Sequence, residues 1–270
     1  ELQQYDNRHA EMARLHPSIE HAGPKEHLYN LKKAKKALNI PLFASLNAIH
    51  TETWLEYAHL IEETGVDGIE LNLYALPNNK DVESSKIEKQ QIELLTTLRK
   101  TLSIPIAVKL SPAYTNPVAF IKKVDQSGIN GLVLFNRLFQ PDIDIHTETH
   151  TSPFHLSREG DYGNSLRFAG LLYDEVKADI CSSTGIMSGD DIIRLLLAGS
   201  DCVQIVSAIY RYKTDIIAKM LEQLTNWMQV KNYHSLNDFK GNLSRKQTKD
   251  PYVYKRGQYI DLLLNSEKLL

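Results

Sequence analysis

The apolar run Ile104 to Val108 (Ile-Pro-Ile-Ala-Val) ends in Lys109, and Ser111-Pro112 stops it almost at once. A lysine at the last turn of a buried strand is costly unless something negative meets it. Alone, it is equally a lysine that snorkels to solvent. Other strand-like runs also end in polar residues: Ile40–Leu46 in Asn47, Gly68–Leu71 in Asn72, Gly131–Phe135 in Asn136, Ala178–Ser182 in Ser183-Thr184-Gly185, and Cys202–Val206 in Ser207-Ala208. Carboxamides both donate and accept, so they suit a flat heterocycle that alternates C=O and N–H. A lysine beside them can hold negative charge developing on an electron-accepting ring. Small residues running into helix starts are where a phosphate finds backbone N–H groups.

For this chemistry to converge, the strand ends must meet. Between the runs lie helical patterns, about 51–63, 84–102, 117–126, 165–176, 189–198 and 215–228, after one over 24–38 that Pro24 can open. Strands and helices alternate about six times, with Gly65, Gly128 and Gly199 placed to cap helices. Such alternation predicts parallel strands joined by crossovers, and strands without polar alternation predict a sheet covered on both faces. No Gly-x-Gly-x-x-Gly follows a strand, which argues against a dinucleotide-binding sheet. The expected fold is α/β, a TIM (β/α)8 barrel with about six of its eight strands in this chain; an open doubly wound sheet is the alternative. Residues 1–230 form the barrel domain, N-terminally incomplete, and 231–270 a C-terminal helical tail packed on it. Tyr252, Tyr254 and Tyr259 with Leu262–Leu264 read as a terminal helix, and a homodimer contact there is the other reading.

Composition narrows the classes. The 270 residues are 42% hydrophobic with net charge −2, so no electrostatic footprint points to nucleic acid or an anionic membrane. No apolar run is long enough to span a bilayer and no apolar leader opens the chain, so a cytoplasmic location is expected. Cys181 and Cys202 both fall in strand-like runs and read as small buried hydrophobes. His9, His16, His21 and His27 lack metal-ligand spacing, and His146-Thr-Glu-Thr-His150 lies in a polar stretch that reads as a solvated loop. No metal is expected. The long segment 137–163 sits where a lid over a barrel mouth would be.

Taken in order, Ser45-Leu46-Asn47, Glu70-Leu71-Asn72-Leu73 with Pro77-Asn78, Val108-Lys109-Leu110-Ser111-Pro112, Asn136 and Thr184-Gly185-Ile186 resemble the dihydroorotate dehydrogenase family. Leu134-Phe135-Asn136-Arg137, Phe139-Gln140-Pro141-Asp142-Ile143-Asp144 and the tail Asp238-Phe239-Lys240-Gly241-Asn242-Leu243-Ser244 are similar to its bacterial dihydroorotate dehydrogenase-like branch. The resemblance covers the third to eighth barrel strands, roughly Ile40 to Tyr210. It implies FMN across the barrel mouth, with Asn47 and Lys109 on the isoalloxazine ring and Thr184, Gly185, Ser207 and Ala208 around the phosphate. Asn72, Asn78 and Asn136 would hold a small-molecule substrate, dihydroorotate or a related cyclic amide. A base would take a proton while hydride passes to the flavin, Lys109 being the residue nearest the chemistry.

Three departures accompany the resemblance. Tyr74-Ala75-Leu76 holds no Cys or Ser where the family's base stands, the doubled glycine has become Thr184-Gly185, and the first two barrel strands are absent. Two other readings therefore stand beside an FMN-dependent oxidoreductase of pyrimidine biosynthesis. One is a non-catalytic barrel that has lost its base; the other is a Schiff-base lyase using Lys109.

Overall fold

Every strand of the main sheet is short and apolar on one face, and each is followed by a helix that covers that face. In a computed structural model, which describes residues 24–48, 50–73, 81–137, 141–151, 155–255, 260 and 263–264, a helix α1 (Pro24–Ala37) precedes β1 (Phe43–Leu46). Then come α2 (Thr51–Glu62), β2 (Gly68–Asn72), α3 (Ser84–Thr101), β3 (Ile106–Leu110), α4 (Pro117–Gln126) and β4 (Gly131–Leu134). An antiparallel hairpin, β5 (Asp142–Asp144) and β6 (Thr149–Thr151), interrupts the rhythm. It resumes with α5 (Gly163–Leu172), β7 (Asp179–Ser183), α6 (Gly189–Ala198), β8 (Cys202–Gln204), α7 (Ser207–Tyr212) and α8 (Asp215–Val230).

The six parallel strands are ordered β1-β2-β3-β4-β7-β8. One face of this sheet, carrying Ala44, Ile69, Leu71, Ile106, Val108, Leu110, Leu132, Leu134 and Ile180, is buried against Trp54, Ala58, Ile61, Leu95, Leu98, Phe120, Ile121 and Leu172 of the helices. The other face is polar and concave. Side chains of the edge strand β8 reach those of β2 and β3 across it, so the sheet curls as a half-barrel, an incomplete TIM barrel.

Several element bounds differ from expectation, each for a local reason. β3 begins at Ile106 because Pro105 has no N–H to donate; the Ile104 carbonyl instead accepts from Arg99 and the Ile106 N–H goes to Asn130 Oδ1. Leu42 spends its N–H on Asp67 Oδ2 at 2.7 Å, and β1 starts only at Phe43. β8 stops at Gln204 because Ser207–Tyr212 turns into a helix that period reading did not anticipate. The polar stretch holding His146 and His150 is a hairpin rather than an irregular loop, with both histidines exposed.

Cys181 is buried, but Cys202 is exposed, contrary to expectation, because β8 is the sheet edge and no further described strand covers it. The tail lies against α5 and α6: Gly241 N–H donates to Leu196 O, Leu243 N–H to Leu197 O and Arg245 N–H to Gly170 O. Phe239 is fully buried there, stacked on Tyr233 and edge-on to Trp227. Pro251–Tyr254 forms a 3-10 turn, and the described residues beyond it, Ile260, Leu263 and Leu264, are helical; Tyr259 and Leu262 lie outside the described residues. No helix among the described residues is long and apolar enough to cross a membrane.

Candidate active site

Side-chain alternation along a strand puts residues i and i+2 on one face. On the concave face this gathers Ser45 from β1, Glu70 and Asn72 from β2, Lys109 from β3 and Gln204 from β8. Lys109 Nζ donates to Gln204 Oε1 at 3.0 Å. Gln204 Nε2 in turn donates to Glu70 Oε2, while Ser45 Oγ donates to Glu70 Oε1 at 3.1 Å. Lys109 and Glu70 lie 3.8 Å apart with side chains only 21% and 10% exposed, so water screens the pair weakly. Glu70 is thus the negative group that the strand-end lysine required. Gln204 bridges the two and fixes both orientations, because one carboxamide can accept from a cation and donate to an anion at once.

One layer nearer the mouth, Asn72 stands in register with Lys109. Asn136 Nδ2 donates to Asn72 Oδ1 at 2.7 Å, and the Asn136 backbone N–H to Leu110 O. The structure therefore brings Asn72, Lys109 and Asn136 together. Asn47 stands exposed just beyond β1, with no side-chain hydrogen bond to a described residue. Asn78 and Tyr74 lie outside the described residues. One phenol and one hydroxyl remain to be weighed as a base. Tyr114, after β3, is pushed up to about 12 by burial, while its hydroxyl donates to Gln91, which removes it as a base at neutral pH. Ser111, two residues after Lys109, is buried and its Oγ accepts the Ala113 N–H at 3.1 Å.

The β7 and β8 ends form a second group. Thr184 and Gly185 both take positive φ, 77° and 73°, an uncommon state for a β-branched residue. Ser183 Oγ and Thr184 Oγ1 both donate to Phe135 O, at 2.8 and 3.2 Å, which holds the turn. A Cβ on Gly185 would stand 2.6 Å from Arg158 O and Asp161 Cβ, so only glycine fits. Its N–H donates to Ser157 Oγ at 3.1 Å. Ser157 Oγ and Ser207 Oγ lie 2.8 Å apart, the Ser157 N–H donates to Ser207 Oγ, and Arg211 Nη2 reaches Ser157 O. Ala208 is buried behind them. A cavity of about 180 Å³ connects the two groups, bordered by Lys109, Gln204, Ser183, Gly185 and Ser207.

Sequence reading missed Glu70, Gln204, Ser45 and Ser157. The first three carried a weak signal, a polar residue breaking a short strand, whose meaning needed the register and curl of the sheet. Ser157 carried none, because its place depends on how the 137–163 segment folds back.

Cys181 and Cys202 are register partners on the same face. The hydrogen bond between the two thiols, and then burial, push the Cys181 thiol up.

The chain matches the family model described as dihydroorotate dehydrogenase over residues 19–228. It is 27% identical over 221 residues to a Methanocaldococcus jannaschii protein named dihydroorotate dehydrogenase B (NAD(+)), catalytic subunit, covering 78% of this chain and 71% of that one. A Thermoplasma volcanium protein of the same name is 28% identical over 233 residues, 83% of this chain and 73% of its own length. The putative dihydroorotate dehydrogenase A (fumarate) of Aeropyrum pernix is 26% identical over 220 residues, 78% and 70% of the two chains. With the family model spanning most of the sequence and the half-barrel carrying its polar residues at the strand ends, this chain belongs to the dihydroorotate dehydrogenase family.

Proposed function

We propose that the chain is an FMN-dependent oxidoreductase that oxidises dihydroorotate or a related small cyclic amide, in pyrimidine metabolism. The observation that carries this reading is Lys109, held by Gln204 and Glu70 at the mouth of the curled sheet beside the Asn72–Asn136 pair. FMN, when bound, supplies the acceptor for a hydride.

The donor set suits that group. Lys109 is a fixed cation for charge developing on a ring, and Gly185 N–H with the Ser207 hydroxyl are donors for a phosphate. The Ser157 hydroxyl stands where a phosphate oxygen would accept from Gly185 N–H, so binding requires exchange with Ser157. Asn72 and Asn136 orient the amide edge of the substrate, and Asn47 and Asn78 extend the set toward ring and substrate. Ser111 is the hydroxyl nearest in sequence to Lys109 for proton abstraction.

Lys109 donates to Gln204 with Glu70 alongside. That arrangement suits holding a charge, and does not free a lone pair to attack a carbonyl as a Schiff-base lyase needs.

The test is an absorbance spectrum of the purified chain before and after adding FMN, repeated with Lys109→Ala. Flavin bands that survive desalting in the parent and weaken in the variant are expected. A chain that stays colourless with excess FMN ends the reading, and a non-catalytic barrel takes its place.

A further inference from the structure

Cys181 of β7 and Cys202 of β8 take no part in the flavin reading, yet the sheet sets their thiols side by side. The two are direct register partners in a parallel pair, with Ser182 opposite Val203 and Ser183 opposite Gln204 in the positions that follow. Side chains of register partners share one face of the sheet. Neighbouring strands lie about 4.8 Å apart, within the range of about 4.4–6.8 Å that the α-carbons of a disulfide span. Joining the two sulfurs therefore asks little of the backbone.

The two thiols are not equivalent. Cys181 is only 8% exposed, whereas Cys202 is exposed on the edge strand. A solute meets Cys202 first. The hydrogen bond from Cys181 to the Cys202 sulfur holds the Cys202 thiol below its ordinary value, against partial burial and the carboxylates of Asp201 and Asp179. Another acceptor for Cys181, Ser182 O, lies 4.0 Å from its sulfur, a long contact. A reachable thiol that ionises readily, with a second thiol shielded behind it, is the arrangement of an attacking and a resolving cysteine. Two inert core cysteines would both be buried, and neither would be favoured as thiolate.

We propose that Cys181 and Cys202 form a redox modification site that a hydroperoxide closes into a disulfide, with Cys202 attacking and Cys181 resolving. The Cys202 thiolate attacks one peroxide oxygen. The O–O bond breaks, a sulfenic acid forms on Cys202, and the hydroxide or alkoxide that leaves takes a proton from water. The Cys181 sulfur then attacks the Cys202 sulfur. The S–O bond breaks, the S–S bond forms, and the Cys181 proton departs with the hydroxyl as water. The two thiols have lost two electrons and the peroxide has gained them. Two equivalents of a small thiol reverse the change by exchange. Gln204, which holds Lys109, follows Cys202 by two residues on the same face. The bond thus ties the edge strand to β7 one layer beneath that network. The assignment does not depend on whether flavin binds.

The test is peptide mapping by mass spectrometry after brief exposure to hydrogen peroxide, removal of the peroxide, and alkylation of the unfolded, unreduced chain with iodoacetamide. A cross-linked pair of peptides carrying Cys181 and Cys202 is expected within the monomeric chain, and dithiothreitol before alkylation restores both alkylation sites. In Cys181→Ala, dimedone is expected to tag Cys202 after peroxide, because the sulfenic acid has no resolving partner. Cys202 reacts about tenfold more slowly there, the loss of one hydrogen bond to a charged group. In Cys202→Ala, Cys181 is expected to stay open to alkylation. A peroxide-treated parent with both cysteines alkylated, or one cross-linked through Cys202 to a second chain, overturns the site. Tagging of Cys181 in Cys202→Ala as fast as Cys202 reacts in the parent overturns the assignment of roles. The parent map needs no substitution, so it decides for or against the site even where a variant folds poorly.

Discussion

The two faces of one sheet divide the work of this protein. On the outer face Ile69, Leu71, Ile106, Val108, Leu110, Leu132 and Leu134 are buried under helices, and none carries a polar atom in its side chain. On the concave face the neighbouring positions are Ser45, Glu70, Asn72, Lys109, Ser183 and Gln204, tied by hydrogen bonds that cross from one edge of the sheet toward the other. A single step along β2 or β3 passes from packing to chemistry. The outer face gains stability from area removed from water. The inner face holds a partly buried charge pair whose desolvation offsets much of its attraction, so it adds little stability and much orientation.

Substitutions can break that contrast, and the largest stability effect belongs to the outer face. Leu132→Ala removes a fully buried side chain between the sheet and its helices, which costs about 2–5 kcal/mol. Urea unfolding is expected to show a lower midpoint at unchanged slope. A loss below about 1 kcal/mol would mean that the outer face is not the main core, on the scale of cavity-forming substitutions.

Lys109→Ala is expected to weigh on function more than on stability: roughly tenfold or greater loss of FMN affinity, as one charge-assisted hydrogen bond is removed, with a fall in unfolding midpoint smaller than that of Leu132→Ala because the Glu70 carboxylate keeps Ser45 and Gln204 as donors. Glu70→Ala sharpens the comparison further. It leaves the Lys109 cation without its carboxylate and Gln204 without its acceptor, so both stability and FMN affinity are expected to fall. If Glu70→Ala leaves flavin titration unchanged, the network does not orient Lys109.

A smaller effect is expected where the 155–161 segment meets the β7 turn. Ser157→Ala removes the hydroxyl that takes the Gly185 N–H and faces Ser207. If that hydroxyl competes with a phosphate, FMN binds about two- to tenfold more tightly in the variant, the worth of one neutral hydrogen bond. Weaker binding would instead make Ser157 a phosphate ligand. Fluorescence quenching of free FMN reads either outcome.

How far these faces were legible from sequence follows from their periods. The outer face is a run of β-branched residues and leucines flanked by helical repeats, so six strands and their order of appearance could be read directly. Asn72, Lys109 and Asn136 were legible because each ends an apolar run. Glu70 was passed over because it sits inside a strand, where a carboxylate makes sense only once Lys109 is known to stand on the neighbouring strand. Gln204 needed the curl of the sheet, since β8 is four strands away from β2 in the sheet order. Segment ends slipped where one group intervened: Pro105 at the start of β3, the short helix α7 after β8. The hairpin β5–β6 was hidden in polar sequence because neither of its strands buries an apolar face.

The last and smallest effect tests how the C-terminal residues join the half-barrel, which we propose to be a tail added to a barrel domain rather than part of it. Glu175, between α5 and β7, accepts from Lys122 at 2.8 Å and meets Arg245 and Lys246 of the tail at 3.5 and 3.8 Å. The hydrogen bond and charge of Lys122, then the tail cations, hold its carboxyl below the ordinary 4.5. A carboxylate depressed in the folded state binds fewer protons there than when unfolded, so its contribution is present above the ordinary value and lost as pH falls through the folded one. Glu175→Gln is therefore expected to destabilise slightly at neutral pH and to flatten the acid limb of stability below about pH 4.5. Because its partners are well exposed, the change is small and shrinks with added salt. Limited proteolysis locates it. At acid pH, or in the variant at neutral pH, cleavage after residue 240 should quicken while the 43–230 region stays intact. Cutting that spreads evenly into both regions would show the tail and the half-barrel opening as one cooperative unit.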